Sequence, residues 1–218
     1  MTNKYSPPNT MNHPLLIALM TVAGLYLGWL WCADRRANRA GAPHPGALPG
    51  ATDAPARATW LAVAGALGIL VAETAGEKAL GLAAQQSRMT WLFALYSVAA
   101  APIIEEVIFR GWLVIDPEGR SKTAPLPMWA GVVGASIAFA ALHPFLWRWD
   151  DAGFAFTFSA KGWFSTGTVF ALSLWLYAAR LAAWNPRRSL LPCFAAHAAK
   201  NLGTVAIKAA MGFMGAPW

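Results

Sequence analysis

Charge is scarce in this sequence. Asp, Glu, Lys and Arg together make up only 12% of 218 residues, against 57% hydrophobic types, which is too little polar surface to coat a soluble globule. Cysteine is nearly absent. Cys32 and Cys193 are the only two, and both lie in or beside apolar runs, which excludes a secretory disulfide framework and leaves them as packing residues. The chain contains no HExxH, the helical signature of many zinc peptidases, and no repeat at a solenoid period. It also lacks a basic stripe with interleaved aromatics outside the apolar runs. The net charge of +7 therefore fits anionic lipid headgroups better than nucleic acid.

What the chain does have is long apolar runs and 12 Trp. A spanning helix needs roughly 20 apolar residues. Such runs occur at Leu15–Cys32, Ala58–Val71 with a more polar extension, Trp91–Ile115, Met128–Trp147, Gly162–Trp184 and Leu190–Met214. The expected fold is an all-α polytopic transmembrane bundle of about six helices, in a range of roughly six to eight. The range arises because the second run is interrupted by Glu73, Glu77 and Lys78, and the third is long enough for a helix, a turn at Pro102 and a second helix. The organisation read from this is a polar tail over residues 1–14, a first anchor over 15–33, a Pro/Gly/Ala-rich cytoplasmic linker over 34–57 and a helical bundle over 58–218.

The first run is read as a retained anchor, since Arg35, Arg36 and Arg39 stand where a small-residue cleavage site would be. Lys and Arg are enriched in cytoplasmic loops. Arg35, Arg36, Arg39 and Arg57 follow the first span, Arg120 and Lys122 the third, and Arg187 and Arg188 the fifth, so six spans put them on one side with both termini outside. Gly24 and Gly28 read as helix-packing notches. Phe154, Phe156 and Phe158 alternate with small or polar residues, which fits either a short strand or an interfacial aromatic segment.

Within the third run stand Glu105, Glu106 and Arg110. Burying charge there costs several kcal/mol per group by order-of-magnitude scales, so it persists where charges pair, meet water or act. Glu106 and Arg110 are four apart and share a helical face, so they can pair. Glu105 points about 100° away and needs its own partner, histidine or water. Two further apolar runs each carry a histidine with a companion at four residues: Phe139 with His143, and His197 with Asn201. Three polar clusters on three helices are best relieved by convergence on one hydrated pocket. There a carboxylate beside an imidazole can hold and deprotonate water, and an imidazole and an amide can donate to the oxygen of a tetrahedral intermediate.

The sequence Glu105-Glu106-Val-Ile-Phe-Arg110-Gly111, then Phe139-Ala-Ala-Leu-His143, then His197-Ala-Ala-Lys-Asn201, resembles the three ordered motifs of the CPBP family of intramembrane glutamic proteases. That family includes the Rce1-type CAAX prenyl endopeptidases and bacterial bacteriocin-processing or immunity proteins. The resemblance covers roughly Trp91 to Thr204. It implies a metal-independent intramembrane endopeptidase without a cofactor, cutting a membrane-associated protein or peptide near its terminus; the richness in Ala, Arg and Trp points to a bacterial cell membrane. Position by position, it implies that Glu105 and His143 activate the attacking water, that His197 and Asn201 form the oxyanion hole, and that Glu106, Arg110 and Phe139 support them.

Three rivals remain open. Glutamate and two histidines could coordinate zinc. Ser136 with His197 could form a rhomboid-like dyad, although Ile137 stands where glycine is expected. A non-enzymatic transporter, proton relay or immunity binder also uses membrane carboxylates and histidines. One geometric tension also follows from the span boundaries. Glu105 and His143 fall roughly 15 Å apart in depth, which requires a shift or break in the third run at Pro102, or a fourth span that starts inside the preceding loop. Lys200 has three readings: snorkelling, pairing with a carboxylate, or contacting an acidic group of the substrate.

Overall fold

The computed structural model describes residues 13–113, 128–150 and 153–218. Residues 1–12, Val114, Ile115, Arg120 and Lys122 lie outside the described residues. The chain is an all-α membrane bundle with one small hairpin. Helices α1 (Pro14–Arg39) and α2 (Ala56–Ala79) are followed by α3 (Trp91–Ala99), α4 (Ala101–Glu106) and a π-helical turn, Val107–Trp112. Then come α5 (Met128–Leu142), the antiparallel strands β1 (Trp147–Asp150) and β2 (Gly153–Phe156), α6 (Ala160–Leu181) and α7 (Leu191–Ala210).

Among the described residues, three stretches are long and apolar enough to cross a membrane: Pro14–Arg39, Ala56–Ala79 and the composite Trp91–Trp112. Their outward faces carry Leu19, Val22, Leu25, Trp60, Val71 and Leu95, all exposed, as lipid-facing surfaces require. The α5 helix is apolar but has only 15 residues. The α6 and α7 helices have 22 and 20 residues and include Lys161, Arg180, Lys200 and Lys208.

Several ends differ from the apolar runs for local reasons. The α2 helix runs on through Glu73, Glu77 and Lys78 because these charges find partners on other helices: Glu73 meets Lys200 and Glu77 meets Lys161. The α5 helix stops at Leu142, five residues before Trp147, because Pro144 disfavours helical backbone at His143. Ser159 caps α6, its hydroxyl accepting from the Gly162 amide at 2.9 Å. Of the two readings of the Phe154 to Phe158 alternation, the strand is adopted by Phe154 and Phe156, and Phe154, Phe156 and Phe158 stay exposed in a chain of stacked and edge-on rings.

Packing converges on α7, which touches α2, α3, α4 and α6, most extensively α2. Ala58, Ala62 and Ala66 repeat every four residues and are fully buried, the small-residue stripe that allows close helix approach in a bilayer. The main core joins Trp31, Val107, Leu172, Leu176, Leu190 and Ala196. The Pro/Gly/Ala-rich stretch after α1 lies against this core. Ala51 is buried, Trp31 Nε1 donates to the Pro49 carbonyl at 3.2 Å, and Asn38 Nδ2 donates to the Ala51 carbonyl at 3.2 Å. Its prolines and glycines shape a docked path. Cys193 is buried and donates to the Leu176 carbonyl at 3.3 Å, whereas Cys32 is exposed, contrary to the packing role read from sequence.

The helix break falls at Ala100, just before Pro102, which cannot donate a backbone hydrogen bond. Helix α1 fits its notches onto this break. A Cβ on Gly24 would lie 2.6 Å from the Ala100 Cβ and 3.0 Å from that residue's backbone, and one on Gly28 would lie 2.8 Å from Ile103 Cδ1. Gly68 on α2 has nothing within 4 Å. Overpacking costs about 1–3 kcal/mol, while Gly to Ala in a helix gains about 1 kcal/mol. Gly24→Ala is therefore expected to lower the unfolding temperature in detergent and Gly68→Ala to leave it unchanged or raise it. Equal behaviour of the two variants would contradict the notch.

Candidate active site

The first motif lies where the backbone changes character. Glu105 and Glu106 end α4, and the π-helical turn begins at the next residue. Such widened turns are frequent at functional sites. Both Glu106 and Arg110 are fully buried, and Arg110 Nη1 donates to Glu106 Oε1 at 3.1 Å, the pairing their spacing implied. Arg110 is held from other sides too. Its Nη2 donates to Ser173 Oγ at 2.6 Å, and Ser173 Oγ donates to Ser136 Oγ at 2.9 Å. Its guanidinium carbon sits 4.3 Å from the Phe139 ring centre and 5.0 Å from that of Tyr177. Tyr177 in turn donates to the Phe109 carbonyl at 2.6 Å. Ser136 is thus fully buried in the arginine's cradle.

The third motif meets the first. His197 Nδ1 lies 2.8 Å from Glu106 Oε1, so Glu106 Oε1 is shared by the arginine and the histidine. The other ring nitrogen, Nε2, faces Glu105 Oε2 at 3.8 Å, beyond hydrogen-bond range but within reach of a charge. Glu105 keeps 24% of its side chain exposed, against none for Glu106. Two adjacent carboxylates therefore flank one imidazole, one sealed in and one open. Asn201, one turn further along α7, uses Nδ2 to donate to the Ser97 carbonyl of α3 at 2.7 Å.

The second motif joins through its aromatic residue. Phe139 is 1% exposed and stands edge-on to Phe109 at 4.9 Å. Its ring centre lies 4.8 Å from that of His143 and 6.1 Å from that of His197, so it forms a wall between the histidines. His143 Nδ1 is 2.8 Å from the Phe139 carbonyl oxygen. A carbonyl only accepts, so Nδ1 carries the hydrogen, and in the neutral ring Nε2 keeps the lone pair. Glu105, His197 and Lys200 all lie within electrostatic reach of His143. Glu105 and His143 thus interact electrostatically despite the depth mismatch expected from the span boundaries, and the third run is broken at Ala100, beside Pro102.

Lys200 takes the second of its three readings, an ion pair with Glu73 Oε2 at 2.9 Å. Glu73 also lines an apolar groove of about 450 Å³ between α2 and α6, beside Ile69, Trp163 and Thr168. Among the described residues, no three His, Cys, Asp or Glu side chains are grouped to hold a metal ion. The sequence reading missed Ser173, Tyr177, Ser97 and Glu73. Only Ser173 and Glu73 left a signal, as polar groups inside apolar helices, and neither named its partner.

No curated protein and no solved structure gives a significant match. A family model described as type II CAAX prenyl endopeptidase Rce1-like matches residues 87–203, more than half of the chain. That stretch contains all three motifs, with Glu105, Glu106, Arg110, Phe139, His143, His197 and Asn201. The chain thus belongs to the Rce1-like family of CAAX proteases, as an integral membrane enzyme acting on membrane-associated protein.

Proposed function

We propose that the chain is a glutamate-dependent, metal-independent intramembrane endopeptidase that cleaves a peptide bond near the terminus of a membrane-associated protein. What carries this reading is the position of His197 between a sealed carboxylate at 2.8 Å and an open one at 3.8 Å, with His143 on the other side of the shared Phe139 wall.

In the proposed cycle, Glu105 and the lone pair of His143 Nε2 orient a water and accept one of its protons as its oxygen bonds to the substrate carbonyl carbon. The carbonyl oxygen takes up negative charge. His197 Nε2–H and the second amide hydrogen of Asn201 donate to that oxygen. Since His197 Nδ1–H is committed to Glu106, an Nε2 hydrogen makes the ring a cation, which balances Glu105, Glu106 and Arg110 to zero net charge. Collapse then breaks the C–N bond, and the proton held by the Glu105 and His143 assembly passes to the leaving nitrogen. Arg110 and Glu106 act as positioning residues, fixing the imidazole through Nδ1.

Loss of a general base costs about 10²–10⁴ in rate, and loss of an oxyanion donor costs about 10²–10³. Glu105→Gln is expected to fall in the first range and Asn201→Ala in the second, both with an unfolding temperature near wild type, when cleavage of a farnesylated CAAX peptide and of total membrane proteins is followed by terminal proteomics. A substrate terminus that is still processed by Glu105→Gln would reject the glutamate base. Retention of a protective or transport phenotype by that variant would instead favour a binding protein. The wild-type rate should fall on acidification, as the water-activating groups take up protons, and should be unaffected by strong chelators. Loss on chelation with recovery on adding zinc would put metal chemistry in its place.

Arg110→Met should behave differently. Removing one partner of a buried ion pair costs about 3–5 kcal/mol, so stability and activity should drop together in detergent melts and cleavage assays. Full stability of that variant would sever Arg110 from its positioning role.

A further inference from the structure

A polar cavity lies at the C-terminal end of α1, lined by none of the motif side chains. It has a volume of about 220 Å³ and is lined by Arg35, Asn38, Arg39, Thr52, Asp53 and Arg187. That is smaller than the ~300–1,000 Å³ typical of drug-sized clefts and suits a single compact polar group. Three arginines against one aspartate give it a net charge of +2.

The arginines are arranged for more than Asp53. Arg35 and Arg39 each use Nε, at 2.7 and 2.5 Å, to hold the two oxygens of Asp53. No described residue accepts from their Nη atoms. Arg187 is brought to the rim by its backbone, its carbonyl accepting from Thr52 Oγ1 at 3.0 Å. Neighbouring bonds lock the same strap of chain, with Ser189 Oγ donating to the Thr52 carbonyl at 2.6 Å and the Leu190 amide to the Gly50 carbonyl at 3.1 Å. The Arg187 guanidinium has no partner among the described residues. Asp53 stays ionised and keeps the arginines oriented, because hydrogen bonds from Arg39 and then Arg35 hold its carboxyl below the usual carboxylate range against some desolvation. Such a fork of guanidinium donors matches the oxygens of a phosphate.

Its position along the helix adds to this. Trp29 on α1 and Trp60 on α2 are both exposed on this end of the bundle, and exposed Trp marks the boundary between acyl chains and headgroups. Arg35 lies six residues beyond Trp29, about 9 Å along the helix.

We propose that this cavity binds a phosphate group, either the headgroup phosphate of an anionic lipid or a soluble phosphate. The site joins the first helix and its following strap to the turn after α6, so its occupancy ties these segments together.

The test uses the full chain in detergent micelles, titrated with phosphatidylglycerol, phosphatidylcholine, inorganic phosphate, or sodium chloride at matched ionic strength, with the unfolding temperature as readout. Arg187→Gln is compared with Arg57→Gln, an exposed arginine outside the cavity. The wild type should be stabilised by phosphatidylglycerol or by inorganic phosphate above the salt control. Each arginine near an anionic surface contributes about fivefold in affinity, so Arg187→Gln should weaken the midpoint at least that much while Arg57→Gln stays within about twofold of wild type. Arg187→Lys, which keeps the charge but loses the fork, should fall between the two. Stabilisation by phosphatidylglycerol alone assigns the lipid, and stabilisation by inorganic phosphate assigns the soluble anion. Equal weakening by the Arg187 and Arg57 variants, or no stabilisation by any probe, overturns the site.

Discussion

A carboxylate sealed inside a membrane helix is the constraint around which this molecule is organised. Glu106 has no exposed surface and offers one oxygen to two donors, Arg110 at 3.1 Å and His197 at 2.8 Å. Neither donor can be dispensed with, because an unpaired buried charge costs several kcal/mol. The arginine is fixed in turn by two serines and three aromatic rings drawn from α5, α6 and the π-helical turn. One shared oxygen therefore ties together the elements that carry all three motifs, and His197 has little freedom to point anywhere but at Glu105.

The backbone irregularities serve the same end. A regular helix through residues 91–112 would stack its turns evenly, whereas the break at Ala100 and the wide turn from Val107 change both the direction and the phase of the side chains. Gly24 and Gly28 let α1 sit tightly against that break. The flexibility usually associated with a helix interruption is thereby replaced by packing. On the other side, Asn201 ties α7 to the Ser97 carbonyl at the end of α3, so the two helix segments that present the site cannot slide past each other without breaking that bond.

Much of this was legible in the residues, and the limits have physical causes. Local spacing was enough for Glu106 with Arg110 and for Phe139 with His143, since four residues along a helix fix a shared face. The bond between His197 and Glu106 was not legible, because 91 residues separate them and periodicity carries no information on which helices touch. The sequence reading gave Glu106 to Arg110 alone; it serves both. Runs of hydrophobicity located the helices, but charges paired across helices made α2 longer than its apolar window, and a proline made α5 shorter. Lys200 stood out as an oddity beside Asn201, yet only the fold supplies Glu73 as its partner.

Pairing also separates the reactive carboxylate from the structural ones. On α2, Glu73 faces Lys200 and Glu77 faces Lys161; on α4, Glu106 faces Arg110. Each is neutralised by a permanent cation, which holds the carboxylate in place. Glu105 is the exception among the described carboxylates of α2 and α4. Its charged neighbour is an imidazole at 3.8 Å, not a lysine or an arginine. A base must take up a proton and give it back within one turnover, and a carboxylate locked to lysine or arginine is poorly suited to that. Glu105 is instead held by no permanent cation among the described residues and keeps part of its side chain exposed, while its Oε2 is buried facing His197 without a hydrogen-bond partner, a costly arrangement for a purely structural helix.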